Sequence, residues 1–316
     1  MRNLLFFCLA TLFSCSDEQK NIVVIWEANK AKAVIIPRQL LKDVPASSVK
    51  STVRIRKEND TTTLLGYYNF QDRLIFEPLI PFQRGANYVI SVFDKKVGNF
   101  QIPVDHKHSP PKVVTVYPQS DTIPENTLKL YIEFSQPMRE GESLQHIRLV
   151  NANKDNLTDT FLDLQPELWN ENRTVLTIWF DPGRIKRNLQ PNLRLGAPLD
   201  AHKNYQLIIS KNWQDTEGAA LTDNYVKSFA TVIRDSLSPN PEHWKIEAPK
   251  AQSMEPLFIH LDKALDHFLL LDCLQVFDPK GNLVKGRLNV TDQDRAWYFI
   301  PEQNWHAGRY TLRILS

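Results

Sequence analysis

The chain has 316 residues, of which 42% are hydrophobic, 23% charged and 10% aromatic. That excludes a disordered chain, and at ~150 residues per domain, or ~100 for immunoglobulin-sized units, the length corresponds to two or three of them. Lys+Arg 38 against Asp+Glu 36 leaves a net charge of +2, and twenty prolines stand against ten glycines; no global field is available to hold nucleic acid, and short strands are favoured over long helices.

Residues 1–15 read MRNLLFFCLATLFSC. One basic residue, Arg2, precedes an apolar run of ten residues from Leu4 to Phe13, about half of a membrane-spanning helix and the size of a secretory h-region. The run ends in Leu12-Phe13-Ser14-Cys15, which resembles the lipobox of bacterial lipoproteins. The resemblance implies a signal peptide over 1–14, diacylglycerol on Cys15 and a tether over 15–19 that joins a soluble body to a membrane. An ordinary cleaved signal or a buried first strand is the plainer alternative. After Cys15, Ser16-Asp17-Glu18 lacks the aspartate of inner-membrane retention and resembles the surface-export signal of Bacteroidetes lipoproteins. The expected location is therefore the cell envelope, on the outer membrane, facing either side. With Cys8 removed and Cys15 acylated, Cys273 alone remains in the folded part, so no disulfide forms within one chain; its apolar setting, Phe268 to Leu274, suits a buried structural thiol.

Three copies of one β-unit follow, expected over 20–104, 111–233 and 240–316. In the first, Phe76-Glu77-Pro78 is followed seven residues later by Gly85, after which Tyr88/Ile90/Val92 alternate. In the last, Phe299-Ile300-Pro301 leads to Gly308 at the same spacing and then to Tyr310/Leu312/Ile314. Period two makes both half-buried strands. The middle copy has Phe180-Asp181-Pro182 and a closing strand from Tyr205. Upstream, residues 128–157 parallel 255–284 as strand, connector, strand and turn, and residues 53–68 keep the strand-turn-strand part. Pro110-Pro111 and Ser238-Pro239-Asn240-Pro241 punctuate the boundaries. The predicted fold is all-β, a tandem array of three immunoglobulin-like sandwiches.

The segment 113–140, with Phe134-Ser135-Gln136-Pro137-Met138, and the later Asp215-Thr216-Glu217-Gly218 with Leu221 resemble the bacterial Ig-like domain of the S-layer-protein type. The resemblance covers about residues 112–232 and makes the flanking units diverged relatives. It implies a sandwich fold and nothing about ligand. Asp60-Thr61-Thr62, Asp121-Thr122-Ile123 and Asp235-Ser236-Leu237 resemble the O-glycosylation triplet of Bacteroidetes, and suit ordinary Asx turns equally well.

The middle copy departs from its siblings once. Its counterpart of Gly85 and Gly308 is His202, 20 residues after Pro182 instead of seven, so about 13 residues are inserted, spanning 183–196. The insertion holds Arg184, Lys186, Arg187 and Arg194 with no acid and follows Asp181. A sibling folds without it, so a functional role is the expectation. Paired arginines and turn N–H groups suit a carboxylate or phosphate, on a small anion, a polysaccharide, a lipid headgroup or an envelope protein. A solvated loop whose arginines pair with Asp181 or Asp200 is the alternative.

His106-Lys107-His108 has too few neighbours for a zinc site, and Asp262 and Asp266 suit a turn better than calcium. Trp169, Trp213, Trp244 and Trp305 lie near loops, where indole faces stack on sugars or pack between units. Nucleophile elbows, Gly-rich phosphate loops, His-Glu-x-x-His and Cys-x-x-Cys are all missing from the sequence. The expectation is a non-catalytic binding or spacer protein without cofactor or metal. The competing readings are an envelope glycan or cell-wall hydrolase built on paired carboxylates, and a glycan binder that uses the loop tryptophans.

Overall fold

The computed structural model describes residues 21–27, 30–105 and 107–315; the expected signal segment 1–14, Cys15 and His106 lie outside them. The chain divides into two compact units, residues 1–109 with Thr216–Ala219, and residues 110–215 with 220–316.

In the first unit β1 (Val23–Glu27), β2 (Lys30–Pro37), β4 (Gly66–Phe70) and β5 (Arg73–Pro78) form a sheet in the order β1-β2-β5-β4. Opposite it, β3 (Val53–Lys57), β6 (Asn87–Val92) and β7 (Lys95–Gln101) pair as β3-β6-β7, and a single helical turn, α1 (Val49–Thr52), leads into β3. Alternate residues of both sheets, such as Val34, Ile36, Leu74 and Phe76 against Val53, Ile55, Tyr88 and Ile90, make one core, as period-two strands facing each other require.

The second unit holds two further cores. In the middle sandwich, β8 (Val113–Tyr117), β10 (Lys129–Phe134), β12 (Leu168–Trp169) and β13 (Val175–Trp179) order as β12-β13-β10-β8. They face β9 (Thr122–Pro124), β11 (Ile147–Asn151), β14 (Asn204–Ile209) and β15 (Tyr225–Val232), ordered β11-β14-β15-β9 with β9 parallel to β15. The turn α2 (Ser143–His146) leads into β11, and the insertion folds into α3 (Pro182–Ile185) and α4 (Gln190–Leu195). Around Trp213, which is fully buried, Ile132, Leu149, Phe180 and Leu207 close the core.

The C-terminal sandwich has β16 (Lys245–Glu247), β17 (Leu257–His260), β19 (Gly286–Thr291) and β20 (Ala296–Pro301) in the order β16-β17-β20-β19. They pack over β18 (Leu274–Phe277) and β21 (Thr311–Ile314), with α5 (His267–Cys273) leading into β18. Ile259, Trp297 and Phe299 meet Leu274 and Val276 in the core. The all-β, immunoglobulin-like sandwich prediction agrees with this architecture.

The repeats seen in the sequence have geometric counterparts. Gln83 N–H donates to the Tyr88 hydroxyl at 2.8 Å, Asp200 N–H to Tyr205 at 2.9 Å and His306 N–H to Tyr310 at 3.0 Å, a tyrosine-corner arrangement at the start of each closing strand. Gly66 and Gly286 sit opposite Pro78 and Pro301, and a Cβ on either would fall 2.4 or 2.3 Å from the neighbouring strand's carbonyl oxygen. Phe76 and Phe299 lie against these two bare backbones, which is why a glycine recurs there. The connector before the second strand is helical in each copy. Phe268–Leu271 carries no alternation, and Asp266 accepts the Leu269 N–H at 3.0 Å as the N-cap of α5. Cys273 ends this helix half-buried, not fully enclosed as its apolar setting suggested.

Candidate functional site: the basic insertion

Asp181 opens the insertion. Its carboxylate accepts the Gly183 N–H at 2.8 Å, and Pro182 occupies the first helical position of α3, a capped start of the usual kind. Asp181 is thus a cap in the structure. Gly196, at φ +72°, ends α4, and its N–H donates to the Asn192 carbonyl at 2.8 Å.

Between these ends lies a residue whose role differs from the expected one. Arg184 is buried, and its guanidinium donates to four carbonyls: Asp159 at 2.6 Å, Gly196 at 3.1 Å, and Leu195 and Ala197 at 3.2 Å each. The guanidinium closes the loop upon itself and upon the 159 turn, so Arg184 is a structural clamp, and it also lines the concavity beside the loop. A second arginine, Arg234, holds the far side by donating to the Ile185 carbonyl at 2.8 Å.

Lys186, Arg187 and Arg194 remain exposed. Arg187 makes a long contact of 3.4 Å to Glu125 while staying largely in solvent, an ion pair of little energetic consequence. Beside these cations the insertion exposes apolar side chains that the charge count concealed: Leu189 at 43%, Leu193 at 64% and Leu195 at 52%. Leu189 and Leu193 are one turn apart, the N–H of the latter donating to the carbonyl of the former at 2.9 Å. A concavity of about 550 Å³ adjoins the loop, lined among others by Asn151, Asn153, Thr158, Asp200 and Lys203. The site is a clamped frame presenting three cations and three leucines.

The remaining candidates take structural places. Trp213 and Trp305 are core residues, donating to the carbonyls of Arg139 at 3.1 Å and Glu255 at 2.8 Å. Trp169 and Trp244 are half-buried and donate to Glu167 at 2.8 Å and Asp262 at 3.1 Å, so the four do not form an exposed indole platform. Asp60 and Asp235 accept N–H groups two residues on, at 2.8 and 3.0 Å, as Asx turns. Asp262 caps Asn240, and Asp266 faces β10. Among the described residues no group of three or more His, Cys, Asp or Glu converges as a metal site, and no helix is long and apolar enough to cross a membrane.

Sequence reasoning missed a polar seam inside the second unit. Asp266 accepts the Tyr131 hydroxyl at 2.9 Å on each oxygen and pairs with Lys129 at 2.9 Å. Asp294, fully enclosed, accepts His267 Nδ1 at 2.8 Å and the Gln119 N–H at 3.0 Å, while the Tyr117 ring stacks on His267 at 3.8 Å. Burial, with Asp266 beside it, pushes the Tyr131 hydroxyl far above its ordinary range, and burial lowers Lys227, whose ammonium donates to the Gln119 carbonyl at 3.2 Å. These partners come together only in three dimensions, so no spacing in the sequence announces them.

No family model matches the chain, and no curated protein matches it. Among solved structures it is similar to the N-terminal part of the bacterial S-layer protein SbsC, at 11% identity over 66% of this chain and 44% of that one, with a TM-score of 0.28. It is also similar to Escherichia coli alpha-2-macroglobulin spanning domains MG0-NIE-MG1, at 14% identity over 66% and 72% of the two chains, TM-score 0.26. A third is latent PorU from Porphyromonas gingivalis, at 12% identity over 83% and 27%, TM-score 0.24. Likenesses this distant bear on neither family nor activity.

Proposed function

We propose that this chain is a non-catalytic recognition or spacer protein of the cell envelope, held at the outer membrane by a lipid on Cys15, and that it meets an anionic partner through the insertion at 183–196. The observation that carries the reading is the clamped frame around Arg184, which displays Lys186, Arg187 and Arg194 beside three exposed leucines. An insertion fixed by a buried guanidinium is held for display, and cations interleaved with leucines suit an anion joined to apolar matter, such as the phosphorylated, acylated headgroup region of an envelope lipid.

Glu167 and Asp235 serve as structural acceptors. Burial pushes Glu167 upward, but N–H groups of Ser143, Trp169 and Gly141 outweigh it and hold its carboxyl below the ordinary range. The Lys263 ammonium does the same to Asp235. Both are ionised acceptors in turns.

The test is co-sedimentation of residues 20–316, which lack the lipid-bearing Cys15, with lipopolysaccharide-containing vesicles, wild type beside Lys186→Glu/Arg187→Glu/Arg194→Glu. The wild type should sediment in a salt-dependent manner and the triple variant should stay in solution. Equal sedimentation of the two would remove the insertion from the function.

A further inference from the structure

Arg184 closes the insertion and leaves a charge behind. A guanidinium is permanently cationic and carries five N–H donors. Here four of its bonds go to neutral carbonyls, those of Asp159, Leu195, Gly196 and Ala197. Among the described residues no carboxylate forms an ion pair with it; the carboxylate of Asp181, three positions away, accepts the Gly183 N–H instead. At 8% exposure the residue is buried, and buried cations are ordinarily paired, because carbonyl dipoles solvate a charge without neutralising it.

That charge is felt in the concavity of about 550 Å³ beside the insertion, where Arg184 forms part of the wall. The volume is of the size that small-molecule sites occupy. Bonds of its own hold the frame: the Asn151 side chain accepts the N–H groups of Asn153 and Asp155 at 3.0 and 2.9 Å, and the Tyr205 hydroxyl accepts that of Asp200 at 2.9 Å. The side chains of Asn153, Asn156, Thr158, Lys203 and Asn204 also line it; all five are exposed and have no side-chain partner among the described residues. Asp200 is the one acid in the lining, against the two cations Arg184 and Lys203.

We propose that this concavity binds an acidic sugar, a pyranose-sized ring that bears a carboxylate or a phosphate. Three carboxamides and a hydroxyl offer donors and acceptors side by side, which matches neighbouring sugar hydroxyls, and the Asp200 carboxylate accepts from one more. Two cations, one of them buried and fixed in place, match a single anionic substituent in a cleft that concentrates their field. A bare anion would leave the amides unused, and a neutral sugar would leave the guanidinium uncompensated. The inference goes beyond the membrane-facing reading of the insertion: Lys186, Arg187 and Arg194 line no part of this concavity, and the two readings stand or fall separately.

The test is isothermal titration of the full chain with galacturonic acid, glucose 6-phosphate, glucose and inorganic phosphate. One of the two acidic sugars should bind at least about tenfold more tightly than glucose and than inorganic phosphate, and which one does so identifies the anion. Lys203→Ala should weaken that sugar about tenfold, and so should Asn156→Ala/Asn204→Ala, the latter without changing the response to inorganic phosphate. These three side chains are exposed and unbonded, so the variants should unfold as the wild type does, which keeps a loss of binding distinct from a loss of folding. Lys186→Gln/Arg187→Gln/Arg194→Gln should hold the sugar affinity within about threefold, whatever that variant does on vesicles. Equal binding of glucose and the acidic sugars, no binding of any sugar, or an affinity unmoved by the Lys203 and asparagine variants would overturn the inference. So would a loss confined to the insertion variant, which would hand the anion to the exposed cations.

Discussion

Leu207 and Leu312 stand at matching places, two residues after the tyrosine that opens a closing strand and inward-facing in both cases. The first is sealed at 0% exposure and the second is half-buried. Neither propensity nor alternation separates them. What differs is the neighbour: β15 covers one and nothing covers the other among the described residues. Burial of a strand residue is thus a property of the sheet around it, and the same pattern earns a different stabilisation according to how far the ladder is finished.

The sharpest way to break this comparison is to truncate both leucines. Leu207→Ala is expected to cost about 2–5 kcal/mol through lost burial and the cavity left behind, and Leu312→Ala about 1 kcal/mol or less. Denaturant unfolding resolved by hydrogen exchange would assign each loss to its own sandwich; equal losses would show that the open edge is covered in solution. Next in size is Arg184→Ala, which strands four carbonyls and should loosen the insertion by about 2–3 kcal/mol, read as new protease cleavage within 186–197. Lys186→Ala in the same assay should change nothing beyond about 0.5 kcal/mol.

A pH series sharpens the contrast within the middle sandwich. The folded state holds Glu167 below its ordinary value of 4.5, so its contribution is present above that value and is lost as the pH falls through the lowered one. Glu167→Gln should flatten the acid limb of the melting curve, and an unchanged limb would assign acid sensitivity to other carboxylates. The smallest effect belongs to His202, which takes φ +59° where its counterpart Gly85 takes +73°. His202→Gly should relieve strain and change stability by no more than about 1 kcal/mol, measured as a small rise in melting temperature.

The same residues indicate how much was legible beforehand. Tyr88/Ile90/Val92 and Tyr310/Leu312/Ile314 announced their strands because period two is a local signal, and the His202 position followed from its place just before Tyr205 and agrees with its positive φ. Arg184 was visible only as charge: its carbonyl partners at 159 and 195–197 are fixed by a fold that the count of cations does not contain. The exposed leucines at 189, 193 and 195 were overlooked because the basic residues among them drew the reading toward charge. The helix α5 hid in an apolar run too short to show a period. The polar seam around Asp266 and Asp294 joins residues more than a hundred positions apart, beyond the reach of any spacing rule.

One of those carboxylates carries a mechanical consequence. Asp266 receives the hydroxyl and ammonium of two β10 residues while also capping the helix that runs directly into β18. Swinging the C-terminal sandwich away from the middle one would leave the cap intact but would strip the Tyr131 hydroxyl and the Lys129 ammonium from the Asp266 carboxylate. Bending at this joint would therefore cost a charge-assisted contact at the very residue from which the helix feeding β18 starts.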